Sequence, residues 1–265
     1  MGKFSLNRLS FITLTLVVLF LSRAGLDLNA LGFAYTPTLR IKVLETFPHD
    51  KNAYTQGLFF HQNHMYESCG QYGSSSFRKV DFKTGKVLKK ITYPKQYFIE
   101  GSVVVNDKLF ILTWQEKTTF VYDINTLKQL TTYFNPRDGW GATTDGKRLI
   151  VSDGSSYLFF MDPSNFKELS KIQVKINGKP LDYLNELEMI NGEIWANVYM
   201  TDKIVIINPN TGNVRAIVDC KDLLPAKMKT AGTDVLNGIA YNPETKSIYL
   251  TGKNWPQLFR IELTQ

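Results

Sequence analysis

The sequence predicts an all-β fold, a five-bladed β-propeller whose N-terminal strand completes the last blade. Three observations carry that prediction. From residue 57 onward, short apolar runs alternate with turn residues. The same order of four runs recurs through five units. The last unit stops one run short, while one spare run stands near the N-terminus.

The units open at Gly57, Gly101, Gly141, Glu186 and Gly238, a spacing of roughly 40–50 residues. That period, with four short runs in each unit, is the signature of propeller blades. The turns have a mechanism. Asn106-Asp107, Asp145-Gly146 and Asn191-Gly192 suit tight hairpins that need positive φ. The fifth unit ends after its third run, at Leu263. The spare run, LRIKVLETF at 39–47, resembles fourth runs such as GKVLKKITY. Pairing it with the last unit removes the open edge that a linear array of sheets would leave. A β-sandwich with extra strands is the alternative, and the regular period argues against it.

Ahead of the units, MGKFSLNRLSFITLTLVVLFLS places Lys3 and Arg8 before a short apolar run, Phe11 to Ser22. The run falls short of the ~20 residues of a comfortable membrane span, and small-residue cleavage sites follow at Ala24 and Ala30. Residues 1–30 therefore read as a signal peptide or an N-terminal anchor, and residues 31–265 as a single domain outside the cytosol: secreted, periplasmic or in the secretory lumen. Membrane contact is expected only if that segment stays uncleaved. The net charge of +7 comes from scattered lysines rather than a basic stripe, so nucleic acid is not an expected partner. Two cysteines, Cys69 and Cys220, fall in different units and read as free buried thiols.

In a four-stranded blade, the entry to the first strand and the link from second to third open on one face. Before the first runs stand Gln56, Glu100, Trp140, Asn185 and Asn237. After the second runs stand Glu67-Ser68, Thr113-Trp114, Ser152-Asp153, Asn197 with Tyr199, and Lys253. One register thus brings amides, an acid, a lysine and aromatics together around the axis. Turn caps and packing would account for any one of them, but not for a polar group in nearly every unit. Glu100, beside Phe98, is the exception among the entries, because it alone brings a carboxylate. A desolvated carboxyl there would have a raised pKa, suited to general acid–base work. His61 and His64 flank Asn63 in a hairpin and read as turn residues rather than metal ligands.

The motifs YTQGL, FIEGSVV, LTW, DGWGATTDG, YLNELEMINGEIWANVY and TGKNWP resemble those of the glutamine cyclotransferase family, the plant and bacterial type of glutaminyl cyclase. The resemblance runs from about residue 41 to 263, nearly the whole mature chain. It implies a five-bladed propeller that turns the N-terminal glutamine of peptides into pyroglutamate and releases ammonia. It implies Glu100 as the proton-transfer residue. Substrate-binding roles would fall to Gln56, Phe98, Trp114, Trp140, Asn185, Tyr199 and Lys253. No metal or cofactor is expected, the partners are peptides or proteins beginning with Gln, and the chain is expected to be a monomer. Two rings depart from the family pattern, Tyr54 for its Phe and Tyr199 for the Trp of plant relatives, and Cys69 stands where they read Thr. A non-catalytic binding propeller is the alternative. A metal-assisted lactonase-like propeller would need several axial carboxylates, and this register supplies only Glu100 and Glu186.

Overall fold

Turn pairs set the strand lengths. In the hairpin at Asn106-Asp107 both residues have positive φ, 51° and 59°, and at Asn191-Gly192 the values are 52° and 82°. Those angles match the twist of antiparallel strands, so each pair closes a two-residue hairpin. Gln62-Asn63 does the same, with His61 paired to His64 across it. Asp145-Gly146 differs from the sequence expectation. The strand before it ends at Thr144 and the strand after it begins at Leu149. The Asp145 carboxylate accepts the N–H groups of Lys147 and Arg148 and holds a longer loop.

The structure, a computed structural model, describes residues 36–264. The segment read as a signal peptide or anchor, residues 1–30, lies outside the described residues. The fold is all-β and propeller-like. Among the described residues the one helical element is a single 3-10 turn, Ala226–Met228.

Strand β1 is Thr38–Pro48. Four-stranded meanders follow: β2 to β5 (Thr55–His61, His64–Cys69, Ser76–Asp81, Lys86–Thr92), then β6 to β9 (Ile99–Val105, Lys108–Thr113, Thr118–Asp123, Gln129–Phe134). The third is β10 to β13 (Ala142–Thr144, Leu149–Ser152, Tyr157–Met161, Glu168–Gln173). A short hairpin, β14 (Lys175–Ile176) and β15 (Lys179–Pro180), precedes an eight-stranded sheet. That sheet joins β16 to β19 (Leu184–Ile190, Glu193–Val198, Lys203–Ile207, Val214–Asp219) to β20 to β22 (Leu236–Asn242, Ser247–Gly252, Gln257–Thr264) through β1. Strand β1 runs antiparallel to β22 from Arg40 to Pro48. Its first residues, Thr38 to Arg40, also pair parallel with Ile217 to Asp219 of β19, a link the repeat pattern does not reveal.

Apolar cores lie between neighbouring meanders. Phe77 and Ile111 share one, Phe110 with Leu149 the next, and Leu158 with Ile194 the third. Ile204 with Leu250 forms the fourth, and Leu58 with Tyr249 closes the cycle from last meander to first. First strands pack in the same cyclic order, β2 on β6, β6 on β10, β10 on β16, β16 on β20 and β20 on β2. Burial falls outward, and β5, β9 and β13 are largely exposed. Cys69 and Cys220 are both buried and free.

Candidate active site

The site residues enter on β-bulges. In β2 the extra residue is Gln56, in β6 the shift spans Glu100-Gly101, in β16 Asn185-Glu186, and in β20 Asn237-Gly238. A bulge bends its strand and re-aims a side chain. The sequence register places these residues before the strands; the structure places them within the strands. The glycine that follows is there for closeness. A Cβ on Gly101 would lie 2.5 Å from the Trp140 carbonyl oxygen, and one on Gly141 would lie 2.0 Å from that of Asn185. Neighbouring first strands touch backbone to backbone at the axis, and only glycine fits there.

Glu186 stands where other units have glycine, and it does something else. Its two carboxylate oxygens accept the N–H groups of Leu58 at 3.2 Å and Ile239 at 2.8 Å. Those N–H groups belong to β2 and β20, each the inner edge strand of its sheet. Glu188 repeats the device two residues on, accepting from Tyr241 N. Both acids therefore fasten strand edges, and Glu186 uses both of its oxygens to do so.

The second wall comes from a matched position just past four of the second strands. Trp114 donates its N–H to the Phe98 carbonyl, Tyr199 to Tyr183 and Lys253 to Val235, each at 2.9 Å. The first meander puts Gly70 in that place, bonded to Tyr54 O. Its missing Cβ makes room for the Phe98 ring, which would be 2.3 Å away.

These two rows enclose a cavity of about 220 Å³. That is smaller than the ~300–1,000 Å³ of sites for drug-sized ligands, and suits a single amino-acid residue. Gln56, Phe98, Glu100, Trp114, Trp140, Asn185, Tyr199 and Lys253 all line it. Tyr54 and Gln71 line it too, and the sequence reading did not place them among the site residues. Tyr54 was legible as the ring of YTQGL. Gln71 had no signal, because its place depends on an unusual backbone, with φ of 96°. Asn237 and Asn197 sit one layer behind. The Asn237 amide donates to Thr55 O and Gln56 Oε1, and Asn197 accepts Gly238 N. Glu67 does not reach the cavity. It is buried against Arg78 and His49, at 2.5 Å and 2.9 Å, within β3. Burial alone would raise it, but the Arg78 and His49 charges hold it well below the usual carboxylate range.

At the cavity floor, Gln56 Nε2 donates to Glu100 Oε1 at 2.8 Å. Asn237 fixes the amide's orientation by occupying its oxygen. Glu100 is 5% exposed. Burial pushes its pKa well up, Lys253 partly offsets this, and Glu116 and Asp138 add to the rise. Lys253 forms no salt bridge with it. The ammonium lies instead over the rings of Tyr54, at 4.8 Å, and Tyr199, at 4.9 Å. Burial lowers its pKa, and Glu100 and Asp234 pull it back up. Tyr54 is held by a hydrogen bond to Asp234 at 2.9 Å, and Trp140 meets Tyr199 edge-on at 5.5 Å. Asn185 Oδ1 is buried without a hydrogen-bond partner. Among the described residues no three His, Cys, Asp or Glu side chains converge as metal ligands.

A lone desolvated carboxyl, an amide acceptor without a partner and a buried ammonium share one residue-sized aromatic cavity, an arrangement that can bind a small polar group and exchange protons with it. Residues 14–263 match the family described as glutamine cyclotransferase. The glutaminyl-peptide cyclotransferase of Arabidopsis thaliana is 43% identical over 229 residues, 85% of this chain and 72% of that protein. The crystal structure of Myxococcus xanthus glutaminyl cyclase aligns with a TM-score of 0.82 at 32% identity, covering 86% of this chain and 98% of that one. The chain belongs to the glutamine cyclotransferase family, and is a transferase of the glutaminyl cyclase type.

Proposed function

We propose that this chain cyclises the N-terminal glutamine of peptides and proteins to pyroglutamate, with Glu100 carrying the protons. The observation that supports it most is the pairing at the cavity floor. Gln56 occupies one oxygen of Glu100 and leaves the other to the substrate. The α-ammonium enters between this oxygen and the free Oδ1 of Asn185. An α-amine has a pKa of about 7.7–8.0 in water, and the same burial that raises Glu100 lowers it. The proton therefore passes to Glu100. The freed amine attacks Cδ of its own side chain, and the Lys253 ammonium donates to the oxyanion. Glu100 then protonates the leaving nitrogen. As the C–N bond breaks it takes a proton from the ring nitrogen, so ammonia leaves and the lactam remains. The ring walls hold the side chain folded back, which supplies much of the rate by proximity. No step needs a metal.

In this reading the four-stranded meanders are the blades of one five-bladed propeller, with β1 as the outer strand of the last. The cyclic order of cores and first strands supports it. Residues 31–265 then form a single domain, acting as a monomer. The basic and apolar N-terminal segment supports export from the cytosol. Mass spectrometry of a Gln-initiated peptide tests the activity. Loss of one ammonia, unaffected by a strong chelator, is expected. Intact peptide, or loss abolished by the chelator, would overturn the reading.

A further inference from the structure

Nine large hydrophobic side chains are exposed among the described residues. Six stand on the outermost strands: Val43 and Leu44 in β1, Leu88 in β5, Leu130 and Phe134 in β9, and Leu169 in β13. The other three, Tyr72, Tyr183 and Met200, lie in loops and do not line the cavity themselves. Each is tied to a lining residue. Tyr72 follows Gln71, and its ring meets Phe98 edge-on at 5.3 Å. Met200 follows Tyr199. Tyr183 accepts the Tyr199 N–H at 2.9 Å and donates its own to Gly154 O at 2.7 Å, and Gly154 lies against the Trp140 ring.

Two of the three carry an uncommon backbone. Tyr183 has φ of 66° and Met200 of 63°. L-residues with bulky side chains rarely take this conformation, and Asn or Gly would take it readily. Their bulk is exposed, so packing does not require it. The Tyr72 hydroxyl is bound to Glu116 at 2.8 Å, which makes that ring a fixed wall. Tyr183 and Met200 side chains make no hydrogen bond and face no such restraint. The cavity takes one residue, so the peptide beyond the glutamine must leave across this rim.

We infer that Tyr183 and Met200 form a second subsite, which receives an apolar side chain on the residue following the reacting glutamine. This rests on the cyclase reading, and the test separates the two. Cyclisation of matched Gln-Leu and Gln-Ser peptides is followed by ammonia release. The unmodified protein is expected to favour Gln-Leu by about tenfold in kcat/KM, the scale of one apolar contact in a binding pocket. The Tyr183→Asn/Met200→Asn variant suits the backbone at both positions and should bring the ratio close to one, through KM for Gln-Leu. Tyr183→Phe/Met200→Leu should keep the preference. Cyclisation of both peptides with no preference, or a preference that survives the Asn variant, would overturn the subsite and leave the cyclase reading standing. Absence of turnover with either peptide would overturn the cyclase reading itself, and the subsite with it.

Discussion

Replacing Glu186 by alanine should release two inner strand edges at once. Its carboxylate accepts Leu58 N at 3.2 Å and Ile239 N at 2.8 Å, and the residue is 1% exposed. Alanine leaves both donors buried without an acceptor. An unpaired buried donor costs about 1–3 kcal/mol, so the pair amounts to about 4 kcal/mol. For a domain of this size each kcal/mol moves Tm by about 2–4 °C, so a fall of roughly 8–16 °C is expected. The assay is thermal melting followed by circular dichroism, with urea unfolding as a check that the m-value stays constant. A variant that melts within about 2 °C of the parent would show that the acid does not fasten these edges. Such a result would remove the reason offered for its presence at a glycine position.

Other expectations concern packing, charge and pH. Arg78→Met should destabilise by about 3–5 kcal/mol in urea, because it strands the buried Glu67 carboxylate; a loss under about 1 kcal/mol would contradict the pairing. Gly70→Ala should displace the Phe98 ring, which a Cβ would meet at 2.3 Å. Activity should then fall more than tenfold with little change in Tm, and an unaffected kcat/KM would count against Phe98 as a wall of the site. Burial raises Glu188 to about 8. An acid raised in the folded state gives stability that is complete below its unfolded pKa of about 4.3 and is lost as pH climbs through the folded value. Glu188→Gln should therefore flatten the loss of Tm between pH 5 and pH 9, and an unchanged slope would refute the shift.

Much of this was legible in the sequence because repetition is a long-range signal. The recurring turn pairs and the polar residue ahead of each first run brought Gln56, Glu100 and Asn185 into register without any coordinates. What was not legible depends on the backbone between repeats. The bulges that aim these side chains add one residue each, and a sequence shows no partner strand against which to count them. Glu186 looked like a second axial acid, but its oxygens are used by the N–H groups of strands far away in the chain. Glu67 shared the register and faces Arg78 instead, because alternation along β3 turns it from the cavity. Tyr183 and Met200 were silent, since an exposed apolar residue in a loop means nothing until the cavity beside it is seen.

The most direct test of the account is the kcat of Glu100→Gln on a Gln-initiated peptide, with melting measured alongside. Glutamine matches the shape, can still accept from Gln56 and cannot carry a proton. A loss of at least about 10²–10⁴-fold in kcat is expected, with Tm held or raised and the peptide still bound. Turnover within tenfold of the parent would contradict proton transfer by Glu100.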